Sequence, residues 1–246
     1  MPKFEVGNWV RPKGQKHRGR VCDHRGRSVL VRWAGTQKAD QWSSRSLVKC
    51  EPPSALILEG SLDDALESVR SEEGLLRNWL TASNFPVAYK NILTLPDLSI
   101  ISRAAAGQRP VFVHISCHGD YEGKRPYIIF APKARKRDRI YLDDPTTVET
   151  FRDSFAGLPI LFSACLLGKY ETPMETFKKD SKLSAIAAFS RVVYDSEAML
   201  FELLLYQAML VNGWTFRKAV DTASIALLKV GVRGSRGHNQ RFVRVF

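Results

Sequence analysis

The chain has 246 residues, 44% of them apolar, and a net charge of +12. That apolar share supports a real core and excludes an intrinsically disordered chain. No apolar run could span a bilayer and the N-terminus lacks a secretory apolar stretch, so the sequence reads as a cytoplasmic protein without a membrane partner, its four cysteines (Cys22, Cys50, Cys117, Cys165) present as thiols. The charge is lopsided: residues 1–50 hold 12 Lys+Arg against 3 Asp+Glu, most of the total. A basic head suits an anionic partner, and a solvated surface gives the same count.

Residues 4–50 read as a small curled sheet. FEVGNWVRP is a first strand, GRVCDHRGRSVLVRWAG a hairpin turning near His24–Arg27, and DQWSSRSLVKC closes the set. In the second arm Val29, Val31 and Trp33 alternate with Ser28, Leu30 and Arg32, which predicts one buried face with Trp33 in the core. The succession G-x-x-V, G-x-V, V-x-V-x-W and a final Leu resembles the SH3-like/Tudor class, which implies a small all-β barrel over residues 1–52. EPPS, at 51–54, is a linker, since paired prolines stop helix and sheet alike.

From Ala55 the pattern changes. ALILEG is a short buried strand, and SLDDALESVRSEEGLLRNWLTAS an amphipathic helix with Ser61 as N-cap. NILTLPDL is ambiguous, and VFVHIS is a strand that stops at Gly-Asp. RPYIIFAP and RIYLDD form a hairpin around the basic loop KARKRD. TTVETFRDSFAG is a helix ended by Gly157, and LPILFSAC and SAIAAFS are strands. DSEAMLFELLLYQAMLVNG is the strongest helix, with Asp195 as N-cap and Gly213 past its end. WTFRKAVDTASIALLKVG is a second helix and RFVRVF a last strand. Strands alternating with helices predict an α/β domain over 53–246 with a mostly parallel, helix-covered sheet.

Two buried strands end in reactive side chains. VFVHIS runs into Cys117-His118-Gly119, and LPILFSA into Cys165. In an open α/β sheet, sites form beyond the carboxyl ends of the strands. If the two strands are parallel neighbours, His118 and Cys165 meet there with no special fold-back. These residues, with the run from Ala185 to Asp195 into a long apolar helix, resemble the caspase-like cysteine peptidases, specifically the bacterial CHAT type, over roughly residues 55–246. Caspases place the histidine about 50 residues before the cysteine, and here the separation is 47. Where caspases proper carry a Q-A-C-R-G-like motif this chain has S-A-C-L-L-G, which separates it from aspartate-directed specificity.

The resemblance implies a Cys-His dyad. Cys165 is the nucleophile and His118 the proton carrier, and the N–H groups of Gly119 and Cys165 form the oxyanion hole. No third acidic member and no cofactor is required. His114 reads as a satisfied packing residue, or one that supports the dyad from behind, rather than a second base, and Cys117 as core. His114, Cys117 and His118 form H-x-x-C-H, and Cys22 with His24 forms C-x-H near His17 and Cys50; neither is a standard zinc spacing, so no metal is expected. Relatives in this broad class often select a basic residue, and Asp120, Glu122 and Asp195 are candidate pocket acids. Asp120 reads equally as a turn residue and Asp195 as a helix cap.

In the head, Trp9, Trp33 and Trp42 interleave with Lys and Arg, and Trp9 and Trp42 are candidate partner-binding residues for nucleic acid or a protein tail. KARKRDR, at 133–139, is a solvated loop and a place where a protease cutting after basic residues could clip itself or a copy; GVRGSRGHNQR, at 231–241, is a connection. The resemblance implies a regulated effector of a prokaryotic defence or cell-death cascade, with a protein substrate and a regulatory protein partner placed by the head. The alternatives are a catalytically inactive caspase-like scaffold and a nucleic-acid- or protein-binding adaptor acting through the head.

Overall fold

The computed structural model describes residues 3–15, 18–33, 38–60, 73–82, 85, 87–105, 110–130, 138–232 and 242–246. The head contains strands β1 (Trp9–Pro12), β2 (Gly19–Arg25), β3 (Ser28–Trp33), β4 (Ala39–Ser43) and β5 (Leu47–Lys49). They form a five-stranded antiparallel sheet in the order β4-β3-β2-β1-β5. The predicted alternation is present in β3: Val29, Val31 and Trp33 are buried, while Arg32 is exposed. With Phe4, Val10, Val21 and Leu47 they build the head's core. The first strand is shorter than FEVGNWVRP, because Gly7 turns the chain at φ +94° and the Asn8 N–H bonds the Glu5 carbonyl at 3.0 Å. DQWSSRSLVKC divides into two strands, since the Ser46 N–H closes a turn on the Ser43 carbonyl at 3.1 Å.

The body opens with β6 (Ala55–Gly60), followed by a π-helical turn (Glu73–Arg77), α1 (Asn78–Ala82), β7 (Val87–Ile92) and α2 (Leu95–Ala105). Then come β8 (Phe112–Ser116), β9 (His118–Glu122), β10 (Arg125–Ile129), β11 (Ile140–Tyr141), α3 (Pro145–Phe155) and β12 (Pro159–Ser163). The chain continues through α4 (Glu171–Asp180), β13 (Ala185–Phe189), α5 (Asp195–Tyr206, prolonged by a π-helical turn to Val211), α6 (Phe216–Lys229) and β14 (Val243–Val245). The central sheet has six strands in the order β14-β13-β12-β8-β6-β7. Each neighbouring pair is parallel except β13 with β14, which is antiparallel. A separate three-stranded antiparallel sheet runs β11-β10-β9. The fold is mixed α/β.

Both faces of the central sheet are covered. Ile57, Phe112, Leu161, Ala187 and Phe189 pack under α5 and α6, and Leu58, Val113, Ile115, Ile160 and Phe162 pack under α2, α3 and α4. Double coverage explains the near-continuous apolar runs in ALILEG, VFVHIS and LPILF. Head and body meet where the Trp9 ring lies 5.8 Å from that of Phe85.

Several elements differ from expectation. HGDYE is not a strand end but β9, paired with β10 around Gly123, whose φ of +64° suits a tight turn. ETPMETFKKD forms α4, although it gives the core only Met174 and Phe177. The N-cap of α5 is Tyr194, and Asp195 is its first residue. Of the helix predicted over 61–83, residues 73–82 are helical; Ser61 lies outside the described residues, as do His17, loop residues 131–137 and residues 233–241. Among the described residues no helix is long and apolar enough to cross a membrane.

Candidate active site

The site begins with two neighbouring strands. β8 and β12 are parallel, and Ser116 lies beside Ser163 at their carboxyl ends. The Cys117 N–H continues the pairing to the Ser163 carbonyl at 3.2 Å. His118 and Cys165 follow two residues beyond Ser116 and Ser163, and both are half-buried. The topology therefore brings these two predicted residues to one end of the sheet.

Gly119 is fitted tightly against the second of them. A Cβ at this position would lie 2.8 Å from the Cys165 carbonyl oxygen, 2.8 Å from Leu167 Cγ and 2.9 Å from Ala164 Cβ. Only a glycine lets β9 approach so closely. Ladder parity fixes the direction of its amide. Pro126, which has no N–H, faces Tyr121, and its carbonyl accepts from Leu142 at 2.9 Å, on the side away from β9. The Gly119–Ile128 pair has the same parity, so it too is non-hydrogen-bonded, and the Gly119 N–H points off the open edge of β9.

Cys165 itself sits on a sharp turn. The Leu167 N–H bonds the Cys165 carbonyl at 2.8 Å. The residue between, Leu166, has φ +63°, one of two described non-glycine residues in the left-handed region. An i→i+2 bond around a positive φ is the rare, strained form of γ-turn, and such strain persists only where the surroundings over-determine it. Here the Leu166 N–H bonds the Arg191 carbonyl at 3.2 Å and the Gly168 N–H bonds the Phe189 carbonyl at 2.8 Å. From the other side, Tyr121 Oη donates to the Leu167 carbonyl at 2.7 Å. Burial pushes the Tyr121 phenol up to about 12, which keeps it a neutral donor. The Cys165 N–H has no backbone partner among the described residues.

A buried polar cluster lies beneath the turn. His114 in β8 is fully buried; its Nδ1 is 3.1 Å from Tyr206 Oη and its Nε2 3.6 Å from Glu202 Oε1. Ser163 Oγ donates to the same Glu202 oxygen. His114 thus packs in the core and belongs to a hydrogen-bonded group with α5.

The remaining candidates are placed as follows. Cys117 is buried in the core under α3 and α4. Asp120 is exposed in β9, cross-strand from Tyr127. Glu122 accepts from Tyr141 and pairs with Arg139 at 3.3 Å. Asp195 is exposed at the start of α5, beside the segment that holds Leu166. Trp9 is half-buried against the body, and Trp42 packs edge-on to Trp33 at 4.9 Å, so both rings are engaged within the chain. Among the described residues no three His, Cys, Asp or Glu side chains converge to hold a metal. Glu202 and Ser163 are not singled out by the sequence: Glu202 is the second glutamate of DSEAMLFELLLY, and only the apolar residues on either side of it hint at burial.

No protein-family model matches the chain, and no curated protein sequence matches it.

Proposed function

We propose that the chain is a caspase-like cysteine endopeptidase whose SH3-like basic head docks a regulatory protein or nucleic acid. The observation that supports this most is the seating of Gly119 against the Cys165 carbonyl, which brings the His-Gly pair and the cysteine together at the ends of adjacent parallel strands. A doubly covered, mostly parallel sheet suits the same reading.

The chemistry follows from residue type. The Cys165 thiol passes its proton to the His118 imidazole, and its sulfur bonds to the carbonyl carbon of the scissile peptide. The oxyanion that forms accepts hydrogen bonds from the Gly119 and Cys165 N–H groups. As the C–N bond breaks, the imidazolium returns its proton to the leaving amine. Water, deprotonated by His118, then hydrolyses the thioester and restores the thiol. The substrate is a protein cut after a basic residue, with Asp120 and Asp195 the candidate pocket acids. In a cell the enzyme is held in check until a partner or a proteolytic event releases it, as a defence or cell-death effector.

Turnover of fluorogenic peptides ending in Arg or Lys tests this reading, alongside labelling by an electrophilic thiol probe. Cys165→Ala is expected to abolish turnover, a loss of at least about 10³-fold. Wild-type protein that neither turns over peptide nor labels at Cys165 would favour the inactive scaffold.

A further inference from the structure

A carboxylate buried inside an apolar helix face needs a reason. The buried face of α5 is Ala198, Phe201, Glu202, Leu205 and Tyr206, and Glu202 is completely enclosed. A leucine there would bury without any desolvation of charge. What Glu202 does instead is reach the end of β12, where it accepts the hydrogen of Ser163 Oγ. His114, also fully enclosed, faces the same carboxylate and is held in turn by Tyr206, one helical turn along α5.

Ser163 stands two residues before Cys165, and its carbonyl also receives the Cys117 N–H. On the far side of Cys165, α5 reaches the turn by a second route. Arg191 makes two bonds to Glu197 in the first turn of α5, at 2.9 and 2.8 Å. The Arg191 carbonyl then holds the Leu166 N–H. One helix thus grips the strained turn both before and after the cysteine.

We propose that Glu202 is a positioning residue: through Ser163 it anchors the turn that presents Cys165, so that α5 sets the geometry of the nucleophile. This rests on the reading of Cys165 as the nucleophile. Glu202 touches no reacting atom. A displacement near 1 Å at a reacting group can cost about 10²-fold in rate, so an anchor of this kind governs kcat far more than KM. The partner-keeping change Glu202→Gln still offers Ser163 an acceptor, whereas Glu202→Ala and Ser163→Ala each remove one end of the bond.

The test reads each cysteine separately in the whole chain. Wild type, Glu202→Ala, Glu202→Gln and Ser163→Ala are treated with iodoacetamide at neutral pH, and labelling at each cysteine is followed by peptide mass. Peptide turnover is measured on the same samples, with Cys165→Ala as blank. The expected result is a fall of about tenfold or more in Cys165 labelling and in kcat for both alanine variants, with KM unchanged and Glu202→Gln close to wild type. Labelling of half-buried Cys22 and buried Cys117 stays as in wild type. If Cys117 becomes reactive as well, the cluster merely holds the core together and the inference falls; Ser163→Ala, the smaller change, decides the matter where Glu202→Ala does not fold. Cys165 labelling and kcat that are the same in all four proteins overturn it as well. Wild-type Cys165 that labels no faster than Cys22 and gives no turnover defeats the nucleophile reading itself, and this inference with it.

Discussion

Around Cys165 two residues carry opposite demands on the backbone. Gly119 is needed for its missing side chain, and Leu166 adopts a φ of +63° in spite of having one. Gly119→Ala is therefore expected to force β9 and the Ala164–Leu167 segment apart. Overpacking of this kind costs about 1–3 kcal/mol, read as a lower urea midpoint. On the proposed mechanism turnover falls further than stability does, because the Gly119 N–H moves off its line. A Gly119→Ala protein with a wild-type midpoint would contradict the close approach. At this scale the sequence was legible where chemistry is local: His118-Gly119 and Cys165 stand out as polar ends of apolar strands. Leu166 was not legible, since nothing in S-A-C-L-L-G announces a positive φ at a leucine. Neither was Ser163, whose role appears only when Glu202 arrives from 39 residues away.

The elements that hold the site differ in how openly they are written. β3, β6, β8, β12, β13 and α6 follow from alternation or apolar runs, because burial alone selects those residues. α4 is obscure: its sequence is mostly polar, and two residues, Met174 and Phe177, recruit it to the core. β9 is obscure for another reason, as it lies at the edge of a small sheet, where half-exposed residues need no apolar pattern. The start of α5 rests on electrostatics. The Arg191 guanidinium holds the Glu197 carboxyl below the ordinary glutamate value, more than offsetting the rise from burial. A carboxylate lowered in the native state contributes its stability above the unfolded-state value and loses it as pH falls through the lowered one. Glu197→Gln should therefore lower the urea midpoint at about pH 7, and the gap from wild type should close towards about pH 3. A gap that stays constant over this window would show that the carboxylate is not linked to folding.

At the scale of the molecule, charge and chemistry are segregated. Most of the net charge of +12 lies in the first 50 residues, while His118 and Cys165 lie at the carboxyl end of the body's sheet. The paired prolines of EPPS mark the change from one to the other. The two parts nonetheless touch. Trp9, in β1, leans out of the head against Phe85 and packs beside the cluster that contains Leu76, Leu80 and Phe201 of the body. The charge pattern sets the first 50 residues apart, but it left Trp9 open between a partner's ligand and a packing residue, because composition cannot tell an aromatic that awaits a ligand from one that already has a neighbour in the same chain.

The Trp9–Phe85 contact makes the chain its own optical gauge. An indole pressed on a benzyl ring fluoresces further to the blue than one in water, and the wild-type spectrum minus that of Trp9→Phe isolates its light. Undocking the head, by added salt or by whatever binds the basic surface, should shift that difference band to the red, and a band that never moves would mean that head and body travel as one piece.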